Sequence, residues 1–148
     1  SAFFVSPLEH AMSKLDALLT IAVIALLISL PTWIRSRRAL RKYWDRACMG
    51  ICWRRRFPDS PKTEIREFLS TLVDAFGFRQ SRRCCFSPDD RLMDVYRALY
   101  PPGSLSDNLE LEGFGLKLKE RYGVDLFTSW RDDITLGELY AQTRTRAG

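Results

Sequence analysis

Residues 17–34, ALLTIAVIALLISLPTWI, are eighteen consecutive positions without a charged side chain. At about 1.5 Å of rise per residue, a helix carries such a run roughly 27 Å, close to the thickness of a bilayer's hydrocarbon core. Ten of the eighteen are Leu, Ile or Val. At about −0.3 to −0.6 kcal/mol each they favour insertion by roughly 3 to 6 kcal/mol, before the costs of Pro31, Ser29 and the threonines. A core helix of a soluble protein carries a polar stripe, whereas the polar side chains between Ala17 and Leu30 are only Thr20 and Ser29. A cleaved signal peptide needs a small-residue site after its apolar run, and here Pro-Thr-Trp-Ile and then arginines follow. The pattern therefore predicts a retained transmembrane helix over residues 15–34, preceded by a short segment, 1–14.

The flanks orient this helix. Glu9, His10, Lys14 and Asp16 precede it, while Arg35, Arg37, Arg38, Arg41, Lys42, Arg46, Arg54, Arg55 and Arg56 follow, against the single acid Asp45. Juxtamembrane Lys and Arg stay cytoplasmic, so residues 35–148 are expected on the inner face of a bacterial inner membrane. Cys48, Cys52, Cys84 and Cys85 then fall in a reducing compartment, and the adjacent pair Cys84-Cys85 is poor material for a disulfide framework.

The formal charge of +5 is concentrated in this flank: beyond residue 56 the chain holds 13 basic and 15 acidic residues. Basic residues beside a span are accounted for by topology and anionic lipid, so the bilayer is the expected partner and nucleic acid is not. Residues 35–60 read as a basic amphipathic connector, with apolar positions at Leu40, Tyr43, Trp44, Ala47, Cys48, Ile51 and Cys52. Trp33, Trp44 and Trp53, with Arg35, Arg37 and Arg38, are the expected membrane-interface residues. The alternative is that the apolar stripe packs on the C-terminal domain or on a partner. Cys48 and Cys52 stand at a C-x3-C spacing without an intracellular histidine, so no metal is expected there.

After the turn Phe57-Pro58-Asp59-Ser60-Pro61, residues 61–148 suffice for one small domain. Its helix starts are marked. Ser60-Pro61 predicts a helix to about Phe76, with Ile65, Phe68, Leu69, Leu72, Val73 and Phe76 as its buried stripe. Ser87-Pro88-Asp89-Asp90 predicts a second helix, closed by Pro101-Pro102-Gly103, and Asp107-Asn108-Leu109-Glu110 a third, ending at Gly123. Thr135-Leu136-Gly137-Glu138 opens the last. The expectation is an all-α chain: one transmembrane helix and a four-helix bundle.

The carboxylate pairs Asp89-Asp90 and Asp132-Asp133 are read as helix-start charges rather than acid–base pairs. Gly113 and Gly115 flank Phe114 and suggest a close approach of another helix or a ligand there. Without a histidine after the span, no Ser-His-Asp or Cys-His arrangement can form, and the chain is not expected to be an enzyme.

Three stretches carry a resemblance: Asp107-Asn108-Leu109, then Leu118-Lys119-Glu120-Arg121-Tyr122-Gly123-Val124-Asp125-Leu126, then Ile134-Thr135-Leu136-Gly137-Glu138-Leu139. From about Thr63 to Tyr140 the chain resembles the acyl carrier protein family, with Phe76-Gly77-Phe78 looking like that family's Leu-Gly-Val. In the family the second helix opens with Asp-Ser-Leu, and fourteen residues separate the serine from an aromatic residue, the spacing of Asn108 to Tyr122 here. The resemblance implies a phosphopantetheine arm on that serine. Asn108 stands in its place, and a carboxamide is not a usable nucleophile, so no cofactor is expected at this position. Ser104 and Ser106, just upstream, are the alternative attachment points. The segment Pro88 to Leu99 also departs from the family, as a well-formed helix where a looser connection is usual. The closest resemblance is to bacterial, membrane-anchored carrier-like domains that lack the serine.

The resemblance implies recognition through the third predicted helix, with Asn108, Leu109, Glu110, Glu112 and Phe114 as the candidate partner-binding residues. The expected function is a non-catalytic module that recruits or regulates a membrane or lipid-pathway enzyme. A genuine tethered carrier modified at Ser104 or Ser106, or a small membrane immunity or regulatory protein, are the alternatives.

Overall fold

The computed structural model describes residues 7–103 and 107–147, with side chains for 14–103 and 107–146. Helix α1 spans Pro7–Trp44, α2 Gly50–Arg56, α3 Lys62–Ala75, α4 Leu92–Leu99, α5 Leu109–Tyr122 and α6 Leu136–Ala147, with a 3₁₀ helix at Gln80–Cys85. Among the described residues there is no strand, only an isolated bridge between Arg91 and Thr135. The protein is all-α. It divides into two units between Arg35 and Ser36.

The first unit is the apolar part of α1, a helix long and apolar enough to cross a membrane. Its large side chains are exposed, from Leu15 at 59 % through Leu27 at 66 %, so it is not the core helix of a globular unit. Its polar groups are satisfied internally, as hydrocarbon surroundings require. Thr20 Oγ1 donates to the Asp16 carbonyl and Ser29 Oγ to that of Ala25, both at 2.8 Å. Pro31 sits inside the helix, where it removes one backbone donor.

The second unit is built on α3, whose Phe68, Leu72 and Val73 are fully buried. Packed around it are α5, through Leu111, Phe114 and Leu118, and α6, through Leu136, Leu139 and Tyr140. Helix α4 contributes Leu92, Val95 and Tyr96. Aromatic rings bind these layers: Phe114 lies 6.3 Å from Phe68 and 6.1 Å from Phe76, and Tyr140 meets Phe57 edge-on at 4.9 Å.

The start of α6 and the end of α5 form as the sequence implies, whereas the capping arrangement expected at the start of α5 does not, since Asn108 makes no side-chain cap. Thr135 N–H donates to Glu138 Oε2 at 2.8 Å and Glu138 N–H returns to Thr135 Oγ1 at 3.2 Å, a complete capping box. Gly123 closes α5 at φ 66°, a left-handed conformation that costs glycine nothing.

Three expectations are corrected. The connector is not one amphipathic helix: α1 ends at Trp44, the chain turns, and Met49 N–H donates to the Cys84 carbonyl at 2.7 Å before α2 begins. That break shifts the buried phase, so Leu40 and Tyr43 are in the core as the stripe implies, whereas Cys48 and Ile51 face out and Trp53 turns in. The helix expected at Ser87 starts four residues later: Asp90 accepts from Ser87 N–H at 2.7 Å, but Leu92 N–H is drawn to the Ile134 carbonyl and the Asp90 carbonyl to Leu136 N–H, so the chain turns helical only from Leu92. Finally, the four helices expected after residue 60 are present as α3 to α6, but an unexpected 3₁₀ helix, Gln80–Cys85, stands between the first two.

Candidate docking groove at the head of helix α5

Asn108 initiates α5 with φ 59° and ψ 10°, the only non-glycine residue at positive φ among those described. Asn tolerates this left-handed conformation better than most residues. Its carboxamide does not cap the helix. Instead Oδ1 accepts a hydrogen bond from the Tyr96 hydroxyl at 2.8 Å, while Asp107 Oδ1 takes the Leu109 N–H at 3.3 Å. Asn108 thus ties α5 to α4. Ser104 and Ser106 lie outside the described residues.

The side chains of the first turn diverge. Leu109 is 61 % exposed. Glu110 turns toward α4 and accepts from the Tyr100 hydroxyl; burial, reinforced by that bond, pushes the Tyr100 phenol well above its ordinary range. Glu112 is exposed and makes no ion pair among the described residues. Phe114 is corrected: it is fully buried between Phe68 and Phe76 and belongs to the core, not to a partner surface.

Beside this turn lies a groove of ≈ 410 Å³, lined by Met93, Asn108, Leu111, Glu112, Phe127 and Trp130. Its aromatic wall is set by the loop after α5. Asp125 Oδ1 accepts from the N–H groups of Phe127 at 3.1 Å and Thr128 at 3.3 Å, and Oδ2 pairs with Lys119 at 3.3 Å. The Lys119 bond, more than the two amides, holds the Asp125 carboxyl below its usual range. Phe127 and Trp130 then stack with centroids 6.3 Å apart. Gly115 makes room for this wall, since a Cβ there would stand 3.0 Å from the Phe127 ring. A close approach near Phe114 is found at Gly115, but from the loop residues Leu126 and Phe127 rather than from another helix or a ligand, and at Gly113 an added Cβ would meet nothing within 4 Å.

Of the partner-binding residues expected from sequence, Asn108 and Glu112 line the groove and Leu109 is exposed outside its lining, whereas Met93, Leu111, Phe127 and Trp130 line it without having been singled out. The available signal was two aromatic residues three apart after an Asp-turn, with a glycine twelve residues earlier to receive them.

The acidic pairs are engaged elsewhere. Asp90 accepts from Arg46 through both oxygens, at 2.8 and 2.7 Å, and Asp89 pairs with Arg56. Asp133 pairs with Arg131 at 3.4 Å. Among the described residues no group of three His, Cys, Asp or Glu is placed to hold a metal. Of the expected interface residues, Trp33, Arg35, Arg37 and Arg38 are exposed. Trp44 is half-buried against Phe78 and Phe86 beneath Arg82. Trp53 is 1 % exposed, with its indole N–H on the Phe86 carbonyl at 2.8 Å, so it anchors the core rather than a headgroup region.

Comparison with known proteins finds no matching family model, no similar curated protein and no similar solved structure.

Proposed function

We propose that this chain is a single-pass protein of a bacterial inner membrane whose cytoplasmic helical unit, resembling an acyl carrier domain, is a non-catalytic docking module. Its partner is a membrane or lipid-pathway enzyme, engaged at the head of α5. The observation that carries this reading is the groove itself. An apolar and aromatic wall from Met93, Phe127 and Trp130 lies beside Glu112, a carboxylate with no ion pair among the described residues, and near the exposed Leu109. That chemistry suits a partner segment presenting an apolar side chain next to Arg or Lys, the pairing of anchor and charge that gives an interface both affinity and register. The left-handed Asn108, held by Tyr96, fixes the start of the helix without offering an attachment oxygen.

The test is site-resolved photocrosslinking in native membranes, with a benzophenone amino acid at Phe127 or Trp130 and, as a control, at Leu116, which is exposed but does not line the groove. The reading expects one adduct, to a membrane or lipid-pathway enzyme, from the two groove positions only. Glu112→Lys should reduce its yield at least tenfold. Equal yields from all three positions, or indifference to Glu112→Lys, would remove the groove from the account.

A further inference from the structure

A second cleft, independent of the α5 groove, opens between α2, α3 and the 3₁₀ helix, with a volume of ≈ 300 Å³. Its floor is hydrocarbon. Trp53, Ile65 and Leu69 are buried at 1, 5 and 3 % exposure, and the one polar atom of the Trp53 ring is already committed to the Phe86 carbonyl. Its rim is cationic: Arg54, Lys62 and Arg66 line the same cleft. None of the three pairs with a carboxylate among the described residues, although Arg46, Arg56, Lys119 and Arg131 all do. No carboxylate lines the cleft either. Burial, with help from the neighbouring Cys48, raises the pKa of the Cys84 thiol at its edge, so that group does not supply the missing anion at neutral pH.

Three unpaired cations around an apolar floor form the complement of one ligand class. We propose that this cleft binds a single-chain amphiphile with an anionic head, its alkyl chain over Trp53, Ile65 and Leu69 and its carboxylate or phosphate among Arg54, Lys62 and Arg66. A volume at the small end of ligand sites, roughly 300–1,000 Å³, suits one chain. The guanidinium forks of Arg54 and Arg66 can each take two oxygens of the head, while Lys62 contributes a point charge. A free fatty acid and a bilayer-derived anionic lysolipid share this chemistry. The cleft lies in a unit whose chain continues directly from an apolar helix able to span a membrane, where both ligands are at hand.

The experiment uses the full chain in phosphatidylcholine nanodiscs and a diazirine-bearing dodecanoic acid, a diazirine-bearing lysophosphatidylglycerol and the neutral diazirine-bearing dodecanol as probes. Adducts are mapped by peptide mass spectrometry. Labelling of residues 48–69 by either anionic probe, competed by unlabelled carboxylic acids with roughly fourfold gain per added methylene until the cleft fills, is the expected result. The probe that labels identifies the source. Lys62→Glu with Arg66→Glu, and separately Arg54→Glu, should lower that labelling at least tenfold while leaving labelling along residues 15–34, an internal measure of folded and inserted protein, unchanged. Labelling confined to residues 15–34 would overturn the proposal, as would equal labelling of the cleft by dodecanol or yields unaffected by the substitutions.

Discussion

Asn108 combines an unusual backbone conformation with a side-chain tie to the neighbouring helix. At φ 59° it occupies a conformation that most L-residues adopt only at a cost of about 1–2 kcal/mol, and its carboxamide serves Tyr96 rather than solvent. Asn108→Ser is therefore expected to destabilise the helical unit by about 1 kcal/mol, read from the denaturant midpoint. Intact-mass measurement after co-expression with a phosphopantetheinyl transferase is expected to show no pantetheine-sized increment on the wild-type chain. An increment lost in Ser104→Ala or Ser106→Ala would restore the carrier reading. A second residue sets a pH dependence. Glu138 is held below its ordinary pKa of 4.5, first by the Thr135 amide and then by Arg131. A carboxyl whose folded pKa is depressed contributes stability above the unfolded value and loses it as pH falls through the folded one. The thermal midpoint of the wild type should thus exceed that of Glu138→Ala near pH 7, and the gap should shrink as the pH falls below 4.5.

At the scale of the element, glycines separate close contacts from open ones. Gly113 has no neighbour within 4 Å of an added Cβ and lies inside α5, so Gly113→Ala is expected to stabilise the unit by up to about 1 kcal/mol. Gly137 is the reverse: its N–H donates to the Pro88 carbonyl at 2.8 Å, and an added Cβ would meet that same oxygen at 2.9 Å. Gly137→Ala should lower the thermal midpoint because backbone must move on both sides. Much of this level is legible in sequence when the cause is local. The Thr135–Glu138 box, the stop at Gly123 and the α3 stripe are set by residues within a turn or two of one another. What was not legible depends on residues far apart. Trp53 is buried because Phe86, thirty-three positions on, offers its carbonyl. Helix α4 starts late because Leu92 N–H and Leu136 N–H bond to Ile134 and Asp90 across the chain. No periodicity in residues 36–56 could show that the connector breaks to let Cys84 accept from Met49. In the groove, Asn108 and Glu112 were reachable through helix register, whereas Phe127 and Trp130 come from a loop whose direction is fixed by Asp125 and Gly115.

For the whole molecule, composition divides as the structure does. The apolar stretch leaves its large side chains exposed, and the helical unit from Ser36 holds its own core of Phe, Trp and Leu. Exposed side chains of this size and number in water would drive aggregation, and a bilayer removes that cost. In the proposed topology the basic run from Arg35 to Arg56 faces the cytoplasm, and part of it also serves the fold: Arg46 and Arg56 pair with Asp90 and Asp89. The central claim is an anchored unit on the cytoplasmic face, and protease protection of the full chain in oriented inner-membrane vesicles, after carbonate extraction, tests it most directly. The account predicts that the chain stays in the membrane pellet and that residues 36–148 are digested in inverted vesicles but protected in right-side-out ones; release by carbonate, or digestion of those residues in right-side-out vesicles, would contradict it.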